Sequence, residues 1–225
     1  MTTINFRNIV RPVIVLGILA IPFIYLSRIY PSLPSLVPKH FNGEGIPDAY
    51  TAKHNLWKIL ALTSAIAVGI YLLLTNITRI DPKKKASLSR NTFQMISIVL
   101  VILIAALNSI TIAASQDGHF AFSRFLPAIL GLFLAFLGNR MLSIRPNYFV
   151  GIRTPWALEH EDNWKATHRL GGKVFFAGGI LIVIVTFLLT PALVESALFA
   201  IIATMALIPV VYSYIYFRKH SGNNS

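Results

Sequence analysis

The chain has 225 residues, 55% of them hydrophobic and only 12% charged, with a mean hydropathy of +0.66. A soluble domain carries about 25% charged residues, so this composition lacks the polar surface for a water-soluble fold and points to a bilayer. The net charge of +12 lies between apolar runs, which assigns it to membrane topology and not to nucleic acid, and the absence of cysteine excludes disulfides and thiol chemistry.

A membrane-crossing helix needs about 20 mostly apolar residues. Six runs meet or approach this, the first at residues 9–29. Arg7 and Arg11 stand ahead of its apolar segment as in a signal peptide, but Arg28-Ile29-Tyr30-Pro31 follows where a cleavage site needs small residues. The run is therefore read as a retained helix.

The next connection, residues 31–55, carries Val37-Pro38, His40-Phe41-Asn42-Gly43, Glu44-Gly45 and Ile46-Pro47-Asp48. Asn42-Gly43 tolerates positive φ, and each residue before a proline is held extended. A compact turn is expected, with Asp48 capping it. His40, Glu44, Asp48 and His54 are metal-ligand types, but their spacing matches no ligand pattern; no metal or cofactor is expected.

The second run, 56–77, carries Ala61, Ala65 and Gly69 at four-residue spacing, a pattern that lets helices approach closely in lipid. A basic connection with Lys83, Lys84 and Lys85 leads to the third run, 93–114. There Asn108 is expected to bond a neighbouring helix. The fourth run, 125–142, repeats the small-residue stripe at Gly131 and Ala135, continued by Asn139. The last two runs, 174–190 and 193–217, form a helical hairpin broken at Thr190-Pro191, since proline lacks the amide proton. Pro22, Pro127 and Pro209 are candidate kinks.

Residues 140–173, between the fourth and fifth runs, hold the densest chemistry. Thr154 followed by Pro155 reads as helix N-cap and first turn. A short helix is expected to start there or near Glu161 and to end at Gly171. On it Trp164, Thr167 and His168 share a face. Trp156 and Trp164 suit a membrane–water interface. Arg153, His168 and Arg169 form a candidate site for a carboxylate, a phosphate or a partner. No nucleophile motif and no HExxH accompany His168, so no catalytic residue is assigned.

Lysine and arginine set the orientation. Fifteen of the twenty fall at the N-terminus, the second and fourth connections and the C-terminus; five fall on the other side. Cytoplasmic loops hold the excess. The expected fold is an all-α polytopic membrane protein of six helices with both ends inside and a short interfacial cytoplasmic helix between helices 4 and 5. Its two modules are 1–92, with an extracytoplasmic loop at 31–55, and 93–225, with a cytoplasmic loop at 140–173.

Two stretches carry a resemblance. Gly138-Asn139, then Pro146-Asn147-Tyr148-Phe149-Val150-Gly151-Ile152-Arg153-Thr154-Pro155-Trp156, then Trp164, Thr167-His168-Arg169 and Gly171-Gly172-Lys173 together closely resemble the SdpI family of bacterial membrane proteins. That family is named for immunity to a secreted sporulation-delaying toxin peptide. Val37-Pro38, His40-Phe41-Asn42-Gly43, Gly45 and Pro47-Asp48 look like the uncharacterised module that often precedes it. Ala157 stands where threonine is expected. The resemblance implies an inner-membrane immunity or peptide-sensing protein, with a toxin peptide and the lipid bilayer as partners and a cytoplasmic repressor as a further one. Binding residues are then Asn139, Asn147, Arg153, Thr154, Trp156, Trp164, His168 and Arg169 inside, and His40, Asn42 and Asp48 outside. The competing reading is a small transporter or membrane enzyme with its site at the Asn139–Lys173 motif.

Overall fold

The computed structural model describes residues 6–42, 46–81, 89–116 and 122–221. Gly43, Glu44 and Gly45 of the expected turn, and Lys83, Lys84 and Lys85 of the basic connection, lie outside the described residues. Six long helices occur among them: α1 (Phe6–Ile29), α2 (Asn55–Ile80), α3 (Arg90–Gln116), α4 (Phe122–Met141), α6 (Glu161–Leu188) and α7 (Pro191–Ser221). A short α5 (Pro155–Glu159) lies between α4 and α6. All six long helices are apolar and long enough to cross a membrane. At 1.5 Å per residue, their 20 to 31 residues match a hydrocarbon core of about 30 Å.

The chain resolves into two compact units, Met1–Leu72 with Ser97–Leu126, and Leu73–Ile96 with Pro127–Ser225. In the first, one end of the core gathers Leu26, Leu33, Val37, Leu56, Leu60 and Ile112. The other end gathers Val15, Leu19, Ala67, Tyr71 and Val101. Thr63 Oγ1 lies 3.1 Å from the Asn108 side-chain oxygen, so the expected interhelical contact of Asn108 is made, to α2.

The connection after α1, where the sequence predicts a compact turn, contains a small hairpin. A single 3₁₀ turn, Tyr30–Ser32, leads to an antiparallel pair, β1 (Leu36–Phe41) and β2 (Pro47–Ala52). Leu36 pairs with Ala52 and Phe41 with Pro47, and the register shifts around His40. Val37, Phe41, Tyr50 and Thr51 favour a strand. Pro38 and Pro47 argue against one, but each strand of a two-stranded sheet is an edge, where a missing amide is tolerated. The hairpin is tied down by Val37, which is fully buried in the core, and by Lys53. Lys53 Nζ donates to the carbonyls of Tyr30 at 3.2 Å and Leu33 at 3.1 Å, and sits 4.9 Å above the Tyr30 ring.

In the second unit the break at Thr190-Pro191 is where the sequence places it, and α7 begins at Pro191. The expected stop at Gly171 does not occur: one helix runs from Glu161 through Gly171 and Gly172 to Leu188. The reason is packing. A Cβ on Gly172 would strike the Gly138 carbonyl at 2.9 Å, and one on Gly179 would meet the backbone of Ala135 and Gly131. The neighbouring glycines meet side chains instead: Gly178 faces Met205 on α7, and Gly171 faces Ile152, Met141 at the end of α4 and Pro209 on α7. The two glycine pairs, seven residues apart, let α6 sit backbone-close to α4 at Gly172 and Gly179 while accepting side chains at Gly171 and Gly178.

The small-residue stripe expected at Gly131 and Ala135 is therefore at a helix contact, but it continues through Gly138 and not Asn139, which is exposed. The stripe at Ala61, Ala65 and Gly69 faces outward instead. All three are exposed, and a Cβ on Gly69 would meet nothing within 4 Å.

Candidate functional site

The segment between α4 and α5 has almost no regular structure, yet its centre is buried. Asn147 is the reason. Its side-chain nitrogen donates to the carbonyls of Arg145 at 2.8 Å and Val150 at 3.1 Å. Its oxygen accepts the amides of Phe149 and Val150, both at 2.8 Å. Asparagine has this four-point capacity, and it replaces the backbone bonds that a buried loop would otherwise lack. Ser89 clamps the start of the loop, donating to Ser143 O at 3.0 Å and accepting Arg145 N at 2.8 Å. Asp81 reaches the Tyr148 amide at 3.5 Å.

Helix α6 closes over this loop. Trp164 is buried, and its indole N–H donates to Ile144 O at 2.8 Å. His168 is buried beside it, with ring centroids 4.0 Å apart and planes 19° apart. The Ile152 amide must be a donor, so His168 Nε2, 3.1 Å away, is an acceptor. Nδ1 then carries the proton and donates to Trp164 O at 2.9 Å. The imidazole is thus held in one neutral tautomer with both nitrogens used. Gly151 has φ of +117° and lies against the His168 and Trp164 rings, so no side chain fits there.

A second polar chain ties α5, α6 and α7 together. Ser213 Oγ donates to Asn163 Oδ1 at 2.8 Å. Its one proton being used, it accepts from Thr154 Oγ1 at 2.8 Å. Thr154 in turn accepts the Ala157 amide at 3.3 Å, the N-cap bond that Thr154-Pro155 foretells. Thr167 donates to Asn163 Oδ1, and Asn163 Nδ2 donates to Ser213 O, both at 2.9 Å. The side chains of Asn147, Thr154, Asn163, Thr167 and Ser213 are all buried and hydrogen-bonded.

The other sequence-selected residues lie outside this knot. Arg153 is exposed and donates from Nη1 to Tyr148 O at 2.6 Å. Trp156 is half-buried against Tyr214 and Phe217, with its indole nitrogen lacking a partner among the described residues. Arg169 is exposed in a groove of about 510 Å³ between α6 and α7. On the hairpin, His40 Nδ1 lies 2.6 Å from Asp48 Oδ1. Asn42 accepts the Ile46 amide at 2.9 Å on its side chain, which shapes the turn. No group of three metal-ligating side chains gathers among the described residues.

Asp81, Ser89, Asn163 and Ser213 complete the knot and were not singled out from the sequence. Their signals are faint: single polar residues near helix ends, each needing its distant partner to acquire meaning. Asn163 was the accessible one, since Asn163, Thr167 and the already selected Trp164 and His168 follow helical spacing.

Two segments of the chain are similar to known protein families. Residues 143–216, which contain the loop, α5, α6 and most of α7, match the SdpI/YfhL protein family. Residues 17–67, which contain most of α1, the hairpin and the start of α2, match a domain of unknown function, DUF1648. The Immunity protein SdpI of Bacillus subtilis (strain 168) is 26% identical over 217 residues, 96% of this chain and 99% of that protein. No solved structure matches the chain. With six apolar helices and this kinship, the chain is a multi-pass protein of the bacterial cytoplasmic membrane.

Proposed function

We propose that this SdpI-family membrane protein gives the cell carrying it immunity to an antimicrobial peptide toxin. The observation that carries the reading is the end-to-end similarity to a protein named for immunity, over 96% of the chain. Both segments that bear sequence motifs are built structures, which supports a role for each module, 1–92 and 93–225.

In this reading both termini are cytoplasmic and the hairpin faces outward. His40, Asn42 and Asp48 are polar and at least partly exposed on it, where a toxin peptide arriving from outside would meet them. Asn147, Thr154, Trp164 and His168 have their bonding capacity used internally; they serve as a rigid platform. Arg153, Trp156 and Arg169 on its rim are the groups free to engage a partner, a cytoplasmic repressor being the partner the family resemblance implies. Asn139 lies outside the platform. The role is non-catalytic. A transporter or enzyme with its site at the centre of the Asn139–Lys173 motif needs a cavity beside Asn147 and His168, and the buried, mutually bonded side chains at that centre count against it.

The test is survival. A toxin-sensitive bacterium expressing the chain is challenged with the sporulation-delaying toxin peptide and with a panel of membrane-active peptides. Raised survival against at least one is expected; none against any would overturn the reading. The double change His40→Ala and Asp48→Ala is expected to lower protection at unchanged membrane abundance.

A further inference from the structure

The groove between α6 and α7 takes in Arg169 of that rim and adds a chemistry that the immunity reading does not use. Lys165, Arg169 and Lys173 line it from α6 at four-residue spacing, about 6 Å apart along the axis. Tyr212 and Tyr216 line it from α7 at the same spacing. Asp162 is the acid among the lining residues. Lys165 is engaged by Glu161 at 3.4 Å and Asp162 at 3.8 Å. Arg169 and Lys173 have no hydrogen-bonding or ion-pair partner among the described residues, so the groove presents two uncompensated cations beside two phenol hydroxyls.

Its position along the helices is set by the sequence. Lys173 is the last charged residue of α6, and an unbroken apolar run follows from Val174. On α7 the charged residues Arg218 and Lys219 come just after Tyr216 and Phe217. The groove thus lies where the hydrocarbon core gives way to headgroups, a depth that also favours tyrosine. The same helix faces continue toward the core as exposed apolar surface, Phe176 and Ile180 on α6 and Ile208 on α7. A ligand for this place has an anionic head and an apolar tail.

We propose that the groove binds the phosphate of an anionic membrane phospholipid, with Arg169 and Lys173 holding the phosphate oxygens, Tyr212 and Tyr216 donating to the headgroup, and the acyl chains lying along Phe176, Ile180 and Ile208. Guanidinium and ammonium groups at the interface attract anionic lipid, and pockets of this kind between helices are a recurrent headgroup site. The three cations and one acid leave a surplus of positive charge, which favours an anionic lipid over a zwitterionic one. The proposal rests on the membrane placement alone and stands apart from the immunity reading.

The test uses the full-length protein in detergent, with phosphatidylglycerol and phosphatidylcholine as probes and retained lipid measured by native mass spectrometry. The wild-type protein is expected to hold phosphatidylglycerol at least about tenfold more tightly than phosphatidylcholine. Arg169→Gln with Lys173→Gln should abolish that preference. Arg169→Lys with Lys173→Arg should keep it, as should Arg218→Gln with Lys219→Gln, which removes the same charge outside the groove. Unchanged binding in the first variant, or an equal loss in the last, would overturn the proposal. So would full displacement of the lipid by millimolar inorganic phosphate, which would mark a site for a soluble anion. If the first variant does not fold, Asp162→Asn decides: tighter phosphatidylglycerol binding is expected, and unchanged or weaker binding refutes the site.

Discussion

At the scale of single residues, the loop between α4 and α5 is held by groups that each have one geometry open to them. His168 shows this best. A histidine near a carboxylate-rich helix start reads as an acid–base or ligand-binding group, yet both of its nitrogens are committed to backbone partners. Replacing it with leucine keeps the volume roughly but leaves the Ile152 amide without an acceptor, an error that costs about 1–3 kcal/mol in a buried place. His168→Leu is therefore expected to lower the thermal unfolding temperature in detergent, with full-length protein still reaching the membrane. Gly151 is the second such residue. An alanine there combines an unfavourable φ with contact against the His168 ring, each worth on the order of 1–3 kcal/mol. Gly151→Ala is expected to destabilise at least as much as His168→Leu, and a variant as stable as the wild type would show that the loop has another conformation available.

At the scale of elements, the same residue type has opposite meanings on different helices. Glycine at 171 reads as a helix stop because nothing in the local sequence says that two neighbours press against it. Once α4 and α7 are in place, the pairs Gly171-Gly172 and Gly178-Gly179 become the reason that the helix can continue between them. Gly69 has the spacing of a packing residue, yet a Cβ there would meet nothing within 4 Å. A paired substitution separates these cases. Gly179→Val forces a side chain into the backbone of Gly131 and Ala135, and overpacking of this kind costs about 1–3 kcal/mol or more. Gly69→Val enters open space and gains helix propensity. The first is expected to lower the unfolding temperature by several degrees and the second to leave it level or raise it; equal effects would contradict the α4–α6 contact. The hairpin illustrates the same limit. Its strands are six residues each and carry a proline apiece, so strand propensity is masked until Val37 finds its core and Lys53 its carbonyls. The spans, by contrast, were legible because 20 apolar residues in a row have few other folds. The N-cap at Thr154 and the break at Pro191 were legible because they depend on neighbours in sequence and not in space.

At the scale of the whole molecule, what remains is the direction in which the chain crosses the bilayer. Fifteen basic residues against five argue for cytoplasmic termini, but the structure shows that these charges are not all alike. Lys53, counted on the sparse side, is fastened to the carbonyls of Tyr30 and Leu33 and holds the hairpin; its place follows from packing whatever the orientation. Arg153 and Lys165, counted on the rich side, are likewise engaged by neighbours, so the placement of the hairpin outside rests on the tally as a whole and calls for a direct test. The absence of native cysteine makes this directly testable. Single cysteines at Asp48 on the hairpin, at Glu159 on α5 and at Lys219 near the end of α7 are all at exposed or solvent-edge positions. In intact cells a membrane-impermeant maleimide is expected to label Asp48→Cys and to spare Glu159→Cys and Lys219→Cys until the membrane is permeabilised. The reverse pattern would invert the chain, moving the hairpin inside and the rim of the platform outside, and a toxin would then meet Arg153 and Trp156 in place of His40 and Asp48. Labelling of both Asp48→Cys and Glu159→Cys from one side would break the six-helix alternation itself, since an odd number of crossings, α2 to α4, separates them.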